Sequence, residues 1–332
     1  MRQKGTKVVM KKVVVFAVFL VGVILLLPLS QADNPDKAKA PSAVGESAVL
    51  PDAKDAAAES FRICEMESDT VTVLSAEEYI FGVVAAEMPA LYEPEALKAQ
   101  AVAAYTYACY RRAGNSGKSY DLTTDPTLDQ SYITEEQARA RWGGKAEEYC
   151  QKIKSAVAET KGFLVTYDNK PILAVYHAIS PGKTEDCQNV WGSDLPYLKP
   201  VASPGDTLSP QYVSTVTVTA KTLREKLGDE CDFSGKEAAY FGKSEKTASG
   251  VVKQISVCGT PLKGARIRSL LDLRSSAFDV AYSDGGFTFT VYGYGHGVGM
   301  SQYGANAMAK QGSGFEEILT HYYTGCTVYK DS

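Results

Sequence analysis

Histidine and tryptophan are scarce in this 332-residue chain, which has 3 His and 2 Trp, and its 7 cysteines include no C-x-x-C pair. That excludes a compact zinc knuckle and a dense disulfide framework, and an odd number leaves at least one thiol unpaired within a monomer. Apart from its first residues the chain has no long Lys/Arg block, and its net charge is -4. It therefore lacks the electrostatic footprint of a nucleic-acid-binding protein. No Gly-Lys-Ser/Thr follows its glycine-rich stretch, so a phosphate-cradling loop is excluded, and no internal repeat suggests a solenoid.

What is present begins with Arg2, Lys4, Lys7, Lys11 and Lys12, followed by an uncharged apolar run over 13–29. As a helix it would rise about 25 Å. That is marginal for a membrane core, yet longer than the usual signal-peptide centre of about 7–15 residues. Ser30-Gln31-Ala32 offers a cleavage site. The reading adopted is a retained single-pass anchor, with 1–12 as a cytoplasmic basic tail and everything after the run extracytoplasmic. Residues 30–60, rich in Ala, Pro, Asp, Lys and Ser, are expected to be a disordered tether, and 61–332 the folded region.

Within that region Ser75 and Glu78 form a capping box for a helix over 76–87 that Pro89 ends. Pro94 starts an alanine-rich helix ending at Gly114. Residues 115–134 are turn-rich, and 135–161 has the pattern of one helix. FLVTY and ILAVYHAIS have strand character. From about 200 to 290 strands dominate, in YVSTVTVTA, VKQISV and FTFTVYG, with a short helix over 221–227. A glycine-rich loop, YGYGHGVGMSQYGA, then leads into a helix capped by Ser301, and FEEILTHYYTGC forms a last short helix. Helices first and strands later, without alternation, predict an α+β fold: a helical catalytic part and a strand-rich second part, preceded by the membrane helix.

Glu87 closes the first helix in VVAAEMP, facing the negative end of the helix dipole. That setting disfavours the charged form and suits a general acid, although a solvated last-turn glutamate has the same local pattern. On the next helix Lys98, Val102, Tyr105 and Cys109 share a face, so Lys98 and Tyr105 could line a cleft with Glu87. HAISPGKTEDC brings His177 near Cys187, a spacing open to a nucleophile and base, to metal ligation or to a turn. The alternating glycines around His296 permit close backbone approach, and the amides of the helix that follows could hold an anion or a polar sugar substituent.

Taken in order, AAEMPALYEPEALKAQAVAAYTYA, HAISPGKTE, VWGSDLPYL, GARIRSLLDLRSSAF, YGHGVGMSQYGANAMA and ILTHYYTGC resemble the blocks of the SpoIID family of peptidoglycan lytic transglycosylases, from about residue 70 to the end. The resemblance implies cleavage between N-acetylmuramic acid and N-acetylglucosamine without water, leaving a 1,6-anhydro end, on glycan strands already stripped of stem peptides. It implies Glu87 as the catalytic glutamate. Lys98, Gln100, Tyr105, His177, Ser180, Thr184, His296, Ser301, Gln302 and Tyr303 become substrate-binding candidates. Its implied partners are a sporulation cell-wall amidase upstream and the membrane scaffold of the engulfment complex, with the enzyme on the mother-cell side of the septum. Related domains also suggest a non-catalytic enhancer of a cell-wall amidase. A third possibility is a two-carboxylate hydrolase that uses Asp121, Asp125 or Asp129. Tyr105 stands where many members have arginine, and Ala178, Ile179 and Pro181 depart from the usual HSTSGGxTE. Asp129 replaces the cysteine near which some relatives bind zinc, so no metal or other cofactor is expected.

Overall fold

The computed structural model describes residues 50–330. The basic tail and apolar run lie outside them, and among the described residues no helix is long and apolar enough to cross a membrane. Of the expected tether over 30–60, only residues 50–60 lie among the described residues, and these carry some regular structure. A helical turn at Ala53–Ala56 is pinned where the Ala53 amide donates to Asn169 O, and the strand Ser60–Glu65 begins at once. Its small alanines insert where larger side chains would not, with Ala53 fully buried.

Ser60–Glu65 pairs antiparallel with Thr70–Ser75 and parallel with the short strand Leu122–Thr123. At Ser75 the capping box forms in both directions and launches the helix Ala76–Glu87. The next helix, Pro94–Gly114, is the axis of the larger core. Ala99, Ala101, Ala103, Ala104 and Ala108 are all buried along it, and these small side chains let neighbouring elements approach on several sides. Against it pack the helices Ala76–Glu87, Ala146–Glu159, Gln302–Lys310 and Phe315–Tyr322, and the strand Phe163–Tyr167. That strand lies between Thr327–Lys330 and Lys170–Pro171.

The single helix expected over 135–161 is two, Glu135–Trp142 and Ala146–Glu159, joined by the tight turn Gly143–Lys145. Of ILAVYHAIS only Tyr176–His177 joins a ladder. Ile172, Leu173, Ala174 and Val175 are buried by packing rather than by strand pairing, so the apolar run marks core and not sheet.

The chain then leaves this core. Val213–Thr219, Gly286–Tyr292 and Phe278–Ser283 form one antiparallel sheet, and Phe241–Lys246, Val252–Val257 and Thr260–Lys263 form another. With the helices Ala220–Leu227 and Gly264–Leu271 they enclose a second core around Leu223, Ile267, Phe278, Phe287 and Phe289. The chain returns to the first core at Met300–Ser301, which pairs parallel with Tyr176–His177. The fold is thus mixed α+β, with the strand-rich unit inserted between two segments that meet beside Glu87.

Candidate functional site

Glu87 ends its helix with Met88, whose amide closes on Val84 O. One carboxylate oxygen, Oε1, accepts from the Ser131 amide at 2.9 Å. The turn-rich segment reaches this position because Gly82 permits it. A β-carbon there would lie 2.3 Å from the Tyr132 ring and 2.5 Å from Ile133 O.

Beneath the carboxylate runs a buried polar relay. Tyr176 donates its hydroxyl to Gln130 Oε1 at 2.8 Å, and Gln130 Nε2 donates to Ala104 O and the Tyr79 hydroxyl. Burial, reinforced by the Glu87 charge, raises the ionisation of Tyr176 well above the usual phenol range, and Tyr79 is raised in the same direction. Both tyrosines are neutral at physiological pH.

Next to Tyr176, His177 is buried, with Nδ1 on Val298 O at 3.0 Å and no hydrogen-bond partner at Nε2. Burial first, and the neighbouring His296 second, push His177 down to about 3, so it is neutral. The His296 ring lies 5.7 Å from that of His177 and 5.0 Å from Trp191. His296 and Trp191 are half-buried. His296 and Trp191 thus present half-exposed rings beside the buried His177.

Several polar residues of the motifs serve the fold instead. Ser180 and Ser301 donate their hydroxyls to the two oxygens of Asp206, a carboxylate with 0% exposure. Ser301 also accepts from the Gly304 amide, and the Tyr303 amide donates to Ala178 O. The helix N-terminus considered for an anion is thus occupied by the protein itself. Thr184 Oγ1 accepts from the Val201 amide, and Gln302 donates to Gln100 Oε1, all within the interior. Ser180, Thr184, Ser301, Gln302 and Gln100 are buried and hydrogen-bonded within the protein. Tyr303 differs. It is half-buried, donates to Leu208 O and stands edge-on to Tyr92.

Lys98 and Tyr105 do not join Glu87. The Lys98 ammonium is held between Glu95 and Glu159, at 2.8 and 2.6 Å. The Tyr105 hydroxyl accepts from the Ala58 amide and lines a cavity of about 630 Å³ with Ala76 and Ile80. Ile80 is about 10 Å from Glu87 along the helix axis. Tyr105 thus faces the opposite end of the neighbouring helix, while Lys98 is held by its two glutamates. Nor do His177 and Cys187 form a dyad: Cys187 donates to Ser193 O and is buried.

The acidic candidates for a second carboxylate are committed elsewhere. Asp121 pairs with Arg62 and Asp129 with Arg111, at 2.7 and 2.8 Å, while Asp125 caps its own turn through Thr127. The motifs do not flag Asp206, and Gln130 and Ser131 were signalled only by their place in the DQSY segment after Asp129. Tyr176 was signalled only by adjacency to His177, and Trp191 only by its place in the VWGSDLPYL block.

These blocks are those of a recognised group. The SpoIID family profile, described as Stage II sporulation protein, matches residues 65–167. Stage II sporulation protein D of Bacillus subtilis is 39% identical over 274 residues, covering 81% of this chain and 78% of that protein. Its counterpart from Bacillus amyloliquefaciens is 40% identical over 273 residues with the same coverage. The Amidase enhancer of Bacillus subtilis is 29% identical over 304 residues, covering 74% of this chain and 40% of that protein. The chain belongs to the SpoIID family of sporulation proteins.

Proposed function

We propose that this chain is a membrane-anchored, extracytoplasmic lytic transglycosylase that cuts peptide-stripped peptidoglycan strands to 1,6-anhydro-muramic ends during sporulation. The observation that carries this reading is a single carboxylate, Glu87, held by a backbone amide beside a neutral tyrosine relay, with the nearby aspartates already paired. Protonated Glu87 gives its proton to the leaving glycosidic oxygen. As oxocarbenium character develops at the muramic C1, the new carboxylate removes the proton of the C6 hydroxyl, which closes on C1. One carboxyl group therefore acts as acid and then as base, with no second carboxylate as nucleophile. Tyr176, His296, Trp191 and Tyr303 are the half-buried aromatic groups available to sugar faces.

Glu87→Gln keeps shape and the Ser131 contact but cannot deliver a proton. Incubated with denuded strands, the full chain should release anhydromuramyl ends detectable by mass spectrometry. The variant should lose at least ~1,000-fold in rate while still binding strands. Reducing ends from the unaltered protein would instead mean hydrolysis.

A second reading, a non-catalytic enhancer of a cell-wall amidase, is favoured by the likeness to the Amidase enhancer. It predicts that Glu87→Gln changes nothing and that neither protein makes anhydro ends.

A further inference from the structure

The strand Thr70–Ser75 is the outer strand of its small sheet, and among the described residues no further strand pairs with its free side. The direction of its backbone groups follows from its neighbours. The Arg62 and Cys64 carbonyls accept from the Asp121 and Thr124 amides on the far side of Ser60–Glu65. Alternate residues of a strand turn their amide and carbonyl to opposite sides, so Phe61, Ile63 and Glu65 bond to Leu74, Thr72 and Thr70. Val71, Val73 and Ser75 therefore turn theirs outward. The Ser75 amide is taken by Glu78 Oε2 at 3.0 Å, which leaves the amides and carbonyls of Val71 and Val73 along the open edge.

The side chains of Val71 and Val73 are 39% and 64% exposed, and Met66 in the hairpin turn is 48% exposed. Thr70 and Thr72, on the opposite face, are exposed as well. Edges left to solvent are usually blunted by a charge, a proline or a bulge. TVTVLS has no charge and no proline, and its register with Ser60–Glu65 runs unbroken. Its alternating β-branched residues are well suited to a further strand. The hairpin turn, by contrast, is acidic, with Glu65, Glu67 and Asp69, and the chain has no Lys or Arg from 63 to 76. Beyond Ser75 come Glu77, already paired with Lys161 at 2.8 Å, and Glu78. A second copy paired parallel would bring two acidic turns together, and one paired antiparallel would set each turn against the other copy's Glu77 and Glu78. Charge thus opposes self-pairing and favours a partner that brings cations.

We propose that Thr70–Ser75 is a docking edge for an extended segment of another protein, which adds a strand to the sheet with apolar residues at alternate positions and Lys or Arg at the end that meets the 65–69 turn. The partner's main chain bonds to Val71 and Val73, its apolar side chains cover theirs, and its cations sit beside Glu65, Glu67 and Asp69. Glu87 is at the other end of the helix that follows Ser75, roughly 16 Å along its axis, so this surface does not depend on the function proposed for that carboxylate.

The full-length protein is titrated with a labelled synthetic peptide of alternating valine and threonine flanked by lysines, followed by fluorescence anisotropy, and with the same peptide flanked by glutamates. The lysine-flanked peptide should bind at least ~10-fold more tightly, weaken as salt rises from ~50 to ~300 mM, and slow deuterium exchange over 70–75. Val73→Pro removes an outward amide and leaves the inner ladder intact, and Val73→Lys puts a charge on the edge. Each should weaken binding at least ~10-fold at an unchanged melting temperature. Equal binding of the two peptides, no binding, or binding that neither variant weakens overturns the proposal. So does slow exchange over 70–75 in the protein alone, which would mean that the edge is already covered, or a dimer that Val73→Lys dissociates, which would make a second copy the occupant.

Discussion

At the scale of single residues the site depends on which polar groups keep their charge out of the interior. His177 is the sharpest case, because its Nε2 is buried without a partner and its ionisation is pushed down to about 3. The unfolded chain protonates the same imidazole near pH 6.5, so between about 6.5 and 3 the unfolded state binds more protons. Stability from neutral His177 is complete above that window and is lost as pH falls through it. The expected slope is roughly 1 kcal/mol per pH unit. Urea midpoints from pH 7 to 4.5 should show it, and His177→Gln should flatten the curve in that range. Asp206 has the opposite sign: burial raises its pKa despite the Ser180 and Ser301 hydrogen bonds. Its contribution therefore favours lower pH, and only the difference between the two proteins isolates His177. The candidacy of Glu87 was legible from its place before Met88-Pro89, since a helix end is a local property. The bracing roles of Ser180 and Ser301 were not, because Asp206 is far away in the chain.

Among elements, the crossing of residues 131–133 over the helix Ala76–Glu87 decides whether the Glu87 carboxylate is held. Gly82→Ala would place a methyl within 2.3 Å of the Tyr132 ring and 2.5 Å of Ile133 O. The crossing segment must then shift, carrying the Ser131 amide away from Glu87. We expect a loss of about 1–3 kcal/mol in denaturant melts and a fall in rate larger than any change in strand binding. Gly144→Ala, where nothing lies within 4 Å, is the matching control and should alter neither. Helix starts were readable, since the Ser75 box and Pro94 act on their own first turns. The division of 135–161 was not expected, because apolar periodicity persists through Gly143-Gly144 even though the glycine at φ 53° ends the first helix.

In the whole molecule, the strand-rich unit is clasped to the site by a few long-range hydrogen bonds. The Glu185 carboxylate, 1% exposed, accepts from Thr247 Oγ1 and Asn189, and Ser249 Oγ donates to Thr184 O. Thr247→Val keeps volume but removes one donor from a buried carboxylate. It should cost about 1–3 kcal/mol, read as a lower denaturant midpoint at unchanged slope, while Thr217→Val on the exposed sheet face should cost little. Local sequence determined the caps, the apolar faces and the ordered blocks that mark the family, since each depends on residues within a turn or two of one another. Only the tertiary structure decided which motif residues turn outward and which brace one another. Tyr176 meets Gln130 46 positions away and Ser301 meets Asp206 95 positions away. Such pairs arise from tertiary packing between segments distant in the chain, and neither spacing nor periodicity records them.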